Sequence, residues 1–322
     1  MLLVFMILSF FCSSWLNQVQ TGHPPCLNSQ KPDVHNFKIQ ALPAECPDSQ
    51  IFSPFPRNNN PLSIDCNHVD FEFPVRSLAM KSLGPRYLIS FSWWDPRGWK
   101  YEQMSVAKAN DSVESIQKLI LESVPGAAFL DIGANVGFMT FFAPATGRPV
   151  YAFEPISYNV AKLCEGYLMN LLARTLSNSR KLVNIFHMAV GPKNISGIEM
   201  SRPPNSIGHF DTASRSAGAV PFSRSDLVVE KINMVRIDEI VPPDVPIGVI
   251  KIDVQGHEEG VLMGMSRILA RKTGYPTAIF FEDDPKLTTQ AGWTPGNCRN
   301  ILERAGYNCE RKGADTLCRK SP

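Results

Sequence analysis

From Asp111 onward, apolar and polar positions switch regularly between two periods. In DSVESIQKLILESV the apolar residues recur three and four apart after a capping-type start, which predicts a one-sided helix. AFLDIGANVG reads as a strand handing over to a turn, with residues 128–132 as the strand, and GFMTFFAPA reads as the opening of a helix. The pattern repeats through the strand RPVYAFEP, the helix SYNVAKLCEGYLMNLLART and the strand KLVNIFHMAVG. VRIDEIV and the buried strand IGVIKIDVQG follow, then the helix HEEGVLMGMSRILARK, the strand TAIFFEDD and the helix TPGNCRNILERAGY. A terminal hairpin is expected in YNCERKGADTLCRK. Strand alternating with helix predicts an α/β fold, a mostly parallel sheet with helices on both faces. Residues 195–230, rich in Ser, Gly and Pro, read as an insertion or mobile loop.

The chain before Asp111 has no such rhythm. Residues 20–75 are rich in Pro, Asn, Ser and Cys and read as irregular structure tied by disulfides, or as disorder. In residues 85–103 the alternating YLISFSW predicts a strand and Asp95-Pro96-Arg97-Gly98 a turn. Trp93, Trp94 and Trp99 fit a hairpin packed over the core, or a surface that stacks on sugars. Met1 to Leu16 are nearly all apolar, too short for a span of about 20 residues and suited to a secretory leader. A cleaved signal peptide, a short anchor and a buried helix are the readings, in that order. The domain boundaries expected are 1–22 for leader or anchor, 23–110 for an N-terminal cysteine-bearing extension and 111–322 for the α/β domain.

Composition narrows the class. The 322 residues are 44% hydrophobic with a net charge of +2, enough for a sizeable core and too neutral for a chain built around nucleic acid. Eight cysteines include no C-x-x-C pair, so zinc has little support. Cys26, Cys46, Cys66, Cys298, Cys309 and Cys318 are candidates for disulfides, and Cys164, in a helical pattern, reads as a buried thiol. Two glycosylation sequons begin at Asn110 and Asn194 and point, with the leader, to the secretory pathway, luminal or secreted.

The chemistry gathers where the first strand of the α/β domain ends. Ligands of open parallel sheets bind beyond the carboxyl ends of the strands. There the chain places Asp131, then a turn from Gly133 through Asn135 to Gly137. The next strand ends at Glu154, an acid suited to ribose hydroxyls. A dinucleotide loop would need a glycine where Asn135 stands, and Asp131 would repel a pyrophosphate. It would attract a cationic nucleoside such as S-adenosylmethionine. A nicotinamide-dependent oxidoreductase is the weaker alternative.

The blocks LDIGANVGFMT, YAFEP, MAVG, VRIDEIV and VIKIDVQGHEEGVLMG, in this order, resemble the FkbM-type S-adenosylmethionine-dependent methyltransferases. The resemblance covers about residues 111–284. It implies a Rossmann-like methyltransferase fold, S-adenosyl-L-methionine as cofactor, and O-methylation of a sugar or other small hydroxyl-bearing acceptor. It also implies that Asp131, Gly133, Asn135, Gly137 and Glu154 line the cofactor, with Asp131 toward its ammonium. Ala189 and Val190 stand where the adenine would be touched, or in the core. The family usually reads IDVEG where this chain has Gln255 for the acid. That departure keeps a secreted non-catalytic binding protein on the same scaffold as an alternative.

Three further residues are candidates for the reaction. Asp253 ends a buried strand, where an acid is costly unless it is paired or working; it would position acceptor or donor, or cap the next helix. His257 suits proton removal from a hydroxyl, and Glu258 suits orienting it or acting as base. Both also suit the polar first turn of a helix. Glu282 ends the next strand and would contact the acceptor. Asp253, Glu282 and Asp283 follow no ligand spacing, so no metal is assigned. Expected partners are the small-molecule or glycan acceptor, no nucleic acid, and a membrane only through the N-terminal segment.

Overall fold

The computed structural model describes residues 63–64, 66, 75–80, 82–92, 111–173, 175–176, 180–202, 211–212 and 228–320. The leader, the first sequon, the three tryptophans and the turn at Asp95 lie outside the described residues. In chain order come β1 (Val75–Met80), β2 (Tyr87–Ser92), α1 (Asp111–Glu122), β3 (Ala128–Ile132), α2 (Phe142–Ala145), β4 (Val150–Phe153), α3 (Ser157–Leu172) and β5 (Val183–Phe186). They are followed by β6 (Ala189–Val190), β7 (Ile195–Arg202), β8 (Asp211–Thr212), β9 (Val228–Val235), β10 (Ile247–Ile252), α4 (Glu258–Gly264) and α5 (Ser266–Leu269). The chain then forms β11 (Ala278–Glu282), α6 (Pro285–Gln290), α7 (Asn297–Arg304), β12 (Asn308–Lys312) and β13 (Asp315–Arg319).

Seven strands form the main sheet in the order β12-β13-β11-β10-β3-β4-β5. The five from β11 to β5 are parallel, and β13 runs antiparallel to both of its neighbours. The sheet is covered on both faces, because its side chains alternate with period two. Phe129 joins one core with Tyr87, Phe91, Ile116 and Leu163, while Ala128, Leu130 and Ile132 join the other with Val261, Leu262 and Leu302. This is the Rossmann-like methyltransferase fold. The chain steps outward from β3 to β4 and β5, then crosses back to β10 and β11 on the other side. The switch point, where such sheets open a crevice, therefore lies between the carboxyl ends of β3 and β10.

Several segments differ from their sequence pattern. GFMTFFAPA makes turns and only the four-residue α2; Pro144 has no N–H for a longer ladder, and Gly147 at φ 81° ends it. HEEGVLMGMSRILARK breaks at Met265 into α4 and α5, because the Asp238 carboxylate accepts from the backbone N–H groups of Arg267 and Ile268 and starts a new helix. VRIDEIV is the end of β9 and a short 3₁₀ turn, Ile237–Glu239. The stretch read as an insertion or mobile loop carries β7 and the start of β9, which pair antiparallel in a four-stranded sheet, β6-β9-β7-β8.

Cys164 is not a free thiol. It is bonded to Cys66, 98 residues earlier, beneath the β1–β2 hairpin that lies on α3. Ser90 of β2 donates to the buried Glu165 of α3, which also takes Lys162 at 2.8 Å. Cys309 and Cys318 close the terminal hairpin, and Cys298 is buried and unbonded. Among the described residues no helix is long and apolar enough to cross a membrane, and no group of three His, Cys, Asp or Glu side chains could hold a metal.

Candidate active site

The sheet register builds the centre of the site. Lys251 on β10 stands opposite Asp131 on β3. On adjacent parallel strands such partners project from the same face, so the ammonium and the carboxylate meet, at 3.4 Å. Asp131 is 1% exposed, and its Oδ2 accepts from Thr140 Oγ1 at 2.7 Å. Lys251 also donates to the Gly133 carbonyl at 2.6 Å and lies 3.7 Å from Asp253. Burial works against the charge on Lys251, but the Asp131 and Asp253 carboxylates outweigh it and hold the ammonium above its ordinary pKa.

The turn after β3 is shaped by protein contacts. Gly133 has φ 78°, and a Cβ there would sit 1.8 Å from the Asp253 carbonyl oxygen. The glycine thus lets the two loops of the switch point touch. Gly137, at φ 97°, fits against Phe141 and Leu163. Asn135 takes a left-handed conformation, φ 53°, and aims its N–H at Glu154 Oε2, 2.7 Å away.

Glu154 is 3% exposed, directly after β4, and its Oε1 accepts from Ile156 N–H at 3.0 Å and Asn159 Nδ2 at 3.2 Å. An ionised carboxylate offers about four acceptor positions, so three are in use. Burial pushes its pKa up to about 7, against the N–H groups of Ile156 and Asn135 that lower it.

Beyond β10 the three reaction candidates part company. Asp253 is 45% exposed and accepts from Gln255 Nε2 at 2.9 Å. The same amide donates to Glu282 Oε2 at 3.0 Å, so Gln255, held at φ 55°, bridges the ends of β10 and β11. Burial, then the Asp253 and Glu258 charges, push Glu282 up to about 8. Glu258 is 2% exposed and turns inward, accepting from the N–H groups of Val254 and Gly256 at 3.0 and 3.2 Å. These bonds make it a brace of the loop after β10, and burial pushes its pKa up to about 7. His257 Nδ1 accepts from Trp293 Nε1 at 3.3 Å. This contact holds the imidazole against the Trp293 indole.

Lys251, at the centre of this cluster, was not singled out in the sequence. Its signal was a lone charge inside an otherwise apolar buried strand, which demands a partner. Farther along the edge, Ser157 donates to Glu230 of β9 at 2.8 Å, and His187 contacts the Pro155 carbonyl at 3.0 Å. Glu230, inside the segment read as a loop, had no sequence signal. Val190 is buried in the second core, as the core reading of MAVG expected.

Comparisons with known proteins follow this geometry. A family model described as the Methyltransferase FkbM domain matches residues 131–309. No curated protein matches the chain. Among solved structures, a methyltransferase FkbM from Methylobacillus flagellatus KT is similar at 17% identity over 61% of this chain and 44% of its own, with a TM-score of 0.39. The T. thermophilus 16S rRNA N2 G1207 methyltransferase is similar at 14% identity over 77% of this chain and 51% of its own, with a TM-score of 0.40. A magnesium protoporphyrin IX methyltransferase from Synechocystis PCC 6803, with bound S-adenosylmethionine, matches at 11% identity over 71% of this chain and 94% of its own, TM-score 0.36. The chain spans about half the length of the first two.

Proposed function

The chain belongs to the FkbM family of S-adenosylmethionine-dependent methyltransferases, and from that premise we propose that it moves a methyl group from S-adenosylmethionine to a hydroxyl oxygen. The acceptor is a sugar or another small hydroxyl compound met in the secretory pathway. One observation carries this reading. Asp131, Glu154 and Asp253 crowd the carboxyl ends of three neighbouring strands with Lys251 among them, an edge suited to a cationic ligand, and Glu282 ends the strand beside them. Family membership sets the nicotinamide-dependent alternative aside.

The residues fit the cofactor. Asp131 Oδ1 is buried and has the Lys251 ammonium at 3.4 Å as its partner, and an oxygen with more than one lone pair keeps room for a second cationic donor. Glu154 keeps one acceptor position, for a ribose hydroxyl. Asp131, Gly133, Asn135, Gly137 and Glu154 would hold the cofactor. When bound, it supplies an electrophilic methyl group on a sulfonium. Asp253, the more exposed carboxylate, takes the proton that the acceptor hydroxyl must lose. Glu282, protonated at neutral pH, donates a hydrogen bond to the acceptor. Gln255 holds the two carboxyls side by side.

The luminal setting is supported by the apolar N-terminus, the two disulfides and the exposed sequon at Asn194. Any membrane attachment runs through the N-terminal segment.

The test is to incubate the full-length chain with methyl-labelled S-adenosylmethionine and a panel of free glycans. Base-stable label on a glycan, lost in Asp253→Asn, is expected. A second reading, a binding protein without turnover, is favoured by the engagement of His257 and Glu258 in local contacts. Tight cofactor binding with no transfer to any acceptor would select it.

A further inference from the structure

Lys251 has more to do than neutralise a buried acid. Its ammonium donates to the Gly133 carbonyl at 2.6 Å and forms ion pairs with Asp131 Oδ1 at 3.4 Å and Asp253 Oδ2 at 3.7 Å. These belong to both sides of the switch point, so one ammonium ties the turn after β3 to the exit of β10. The charges it contacts are two carboxylates, one buried and one 45% exposed. Lys251 cancels one of them, so these three groups keep a single net negative charge, with Glu154 acting on the lysine from farther off.

The methyl donor and its product differ by one charge, at sulfur. S-adenosylmethionine carries a sulfonium there and S-adenosylhomocysteine a neutral thioether. The net charge of the switch point therefore sets how strongly the site prefers the donor to the product. A cluster with two uncompensated carboxylates would hold the donor harder, and a neutral one would lose the preference.

We propose that Lys251 is a specificity-determining residue: by cancelling Asp131 it fixes the preference of the site for the charged methyl donor over the neutral product. The inference rests on the cofactor reading above. Gln255 contributes by holding Asp253 through an amide that adds no charge of its own.

The experiment is calorimetric and needs no acceptor. The dissociation constants of S-adenosylmethionine and S-adenosylhomocysteine are measured for the full-length chain and for three variants, each checked for folding. In Lys251→Met the ratio of product to donor dissociation constants rises about tenfold, and in Asp253→Asn it falls about tenfold. In the double variant Asp131→Asn, Lys251→Met, which removes both charges, the ratio stays within about twofold of the parent. A merely structural lysine would weaken both ligands together and leave the ratio alone. Should Lys251→Met fail to fold, the double variant and Asp253→Asn decide: a ratio displaced tenfold in the former, or unmoved in the latter, overturns the proposal. If the folded parent binds neither ligand, the cofactor reading itself has failed. If both ligands bind and the ratios stay put, only the role of Lys251 has.

Discussion

Lys251 and Asp131 are register partners on adjacent parallel strands, and their charges lie 3.4 Å apart at the switch point of the sheet. Removing one partner leaves a buried charge without compensation. Lys251→Ala should cost about 3–5 kcal/mol of stability. Asp131→Asn with Lys251→Met should recover most of it, because neither side chain is then charged. Denaturant unfolding of the three chains checks both expectations.

The glycine turn supplies a graded comparison. Gly126 and Gly133 share a left-handed backbone, φ 79° and 78°, but a Cβ at Gly126 meets open space while one at Gly133 meets the Asp253 carbonyl at 1.8 Å. Gly126→Ala should cost about 1–2 kcal/mol, the conformational penalty alone. Gly133→Ala adds a backbone clash and should cost about 3 kcal/mol or more. Thermal unfolding of the pair separates the two terms.

The disulfide between Cys66 and Cys164 closes 98 residues of sequence, whereas Cys309 and Cys318 close 9. Chain-entropy arguments give about 4–5 kcal/mol for the long loop and roughly 2.5 kcal/mol for the short one. Replacing each pair with serines should therefore rank them in that order by denaturant midpoint. The larger loss should loosen the β1–β2 hairpin first, since that disulfide lies under it.

The folded chain holds protons on acids that the unfolded chain has lost. Glu154 and Glu258 are pushed to about 7 and Glu282 to about 8, from an ordinary 4.5, in each case by burial first. A carboxyl raised in this way contributes stability that is full below 4.5 and lost as pH rises through the folded value. Stability should therefore decline from about pH 5 to about pH 8, and Glu154→Gln should flatten the part below 7. Unfolding free energies at one-unit pH intervals provide the measurement.

The sheet was legible because β3, β4, β5 and β10 are short apolar runs set between helical patterns, and buried parallel strands have that signature. The switch-point acids were legible for the same reason, since Asp131 and Asp253 interrupt or end such runs. Lys251 is a lone charge in an apolar strand, but the acid it pairs with follows from the strand register, a tertiary property. Cys164 looked like core because its partner is 98 residues away. For Glu258 and His257 the sequence left chemistry and a polar first helical turn open, because both produce the same pattern. Their inward and lateral contacts depend on Val254 and on Trp293, 36 residues downstream. The β7–β9 pairing was masked by the Ser, Gly and Pro between the two strands.

The most direct test of the account is a calorimetric titration of the purified full-length chain with S-adenosylmethionine, beside a folded Glu154→Gln variant. The account predicts saturable one-to-one binding by the parent, weakened at least about tenfold in the variant, whose amide replaces an acceptor oxygen with a donor. A well-folded parent that binds no S-adenosylmethionine would contradict it.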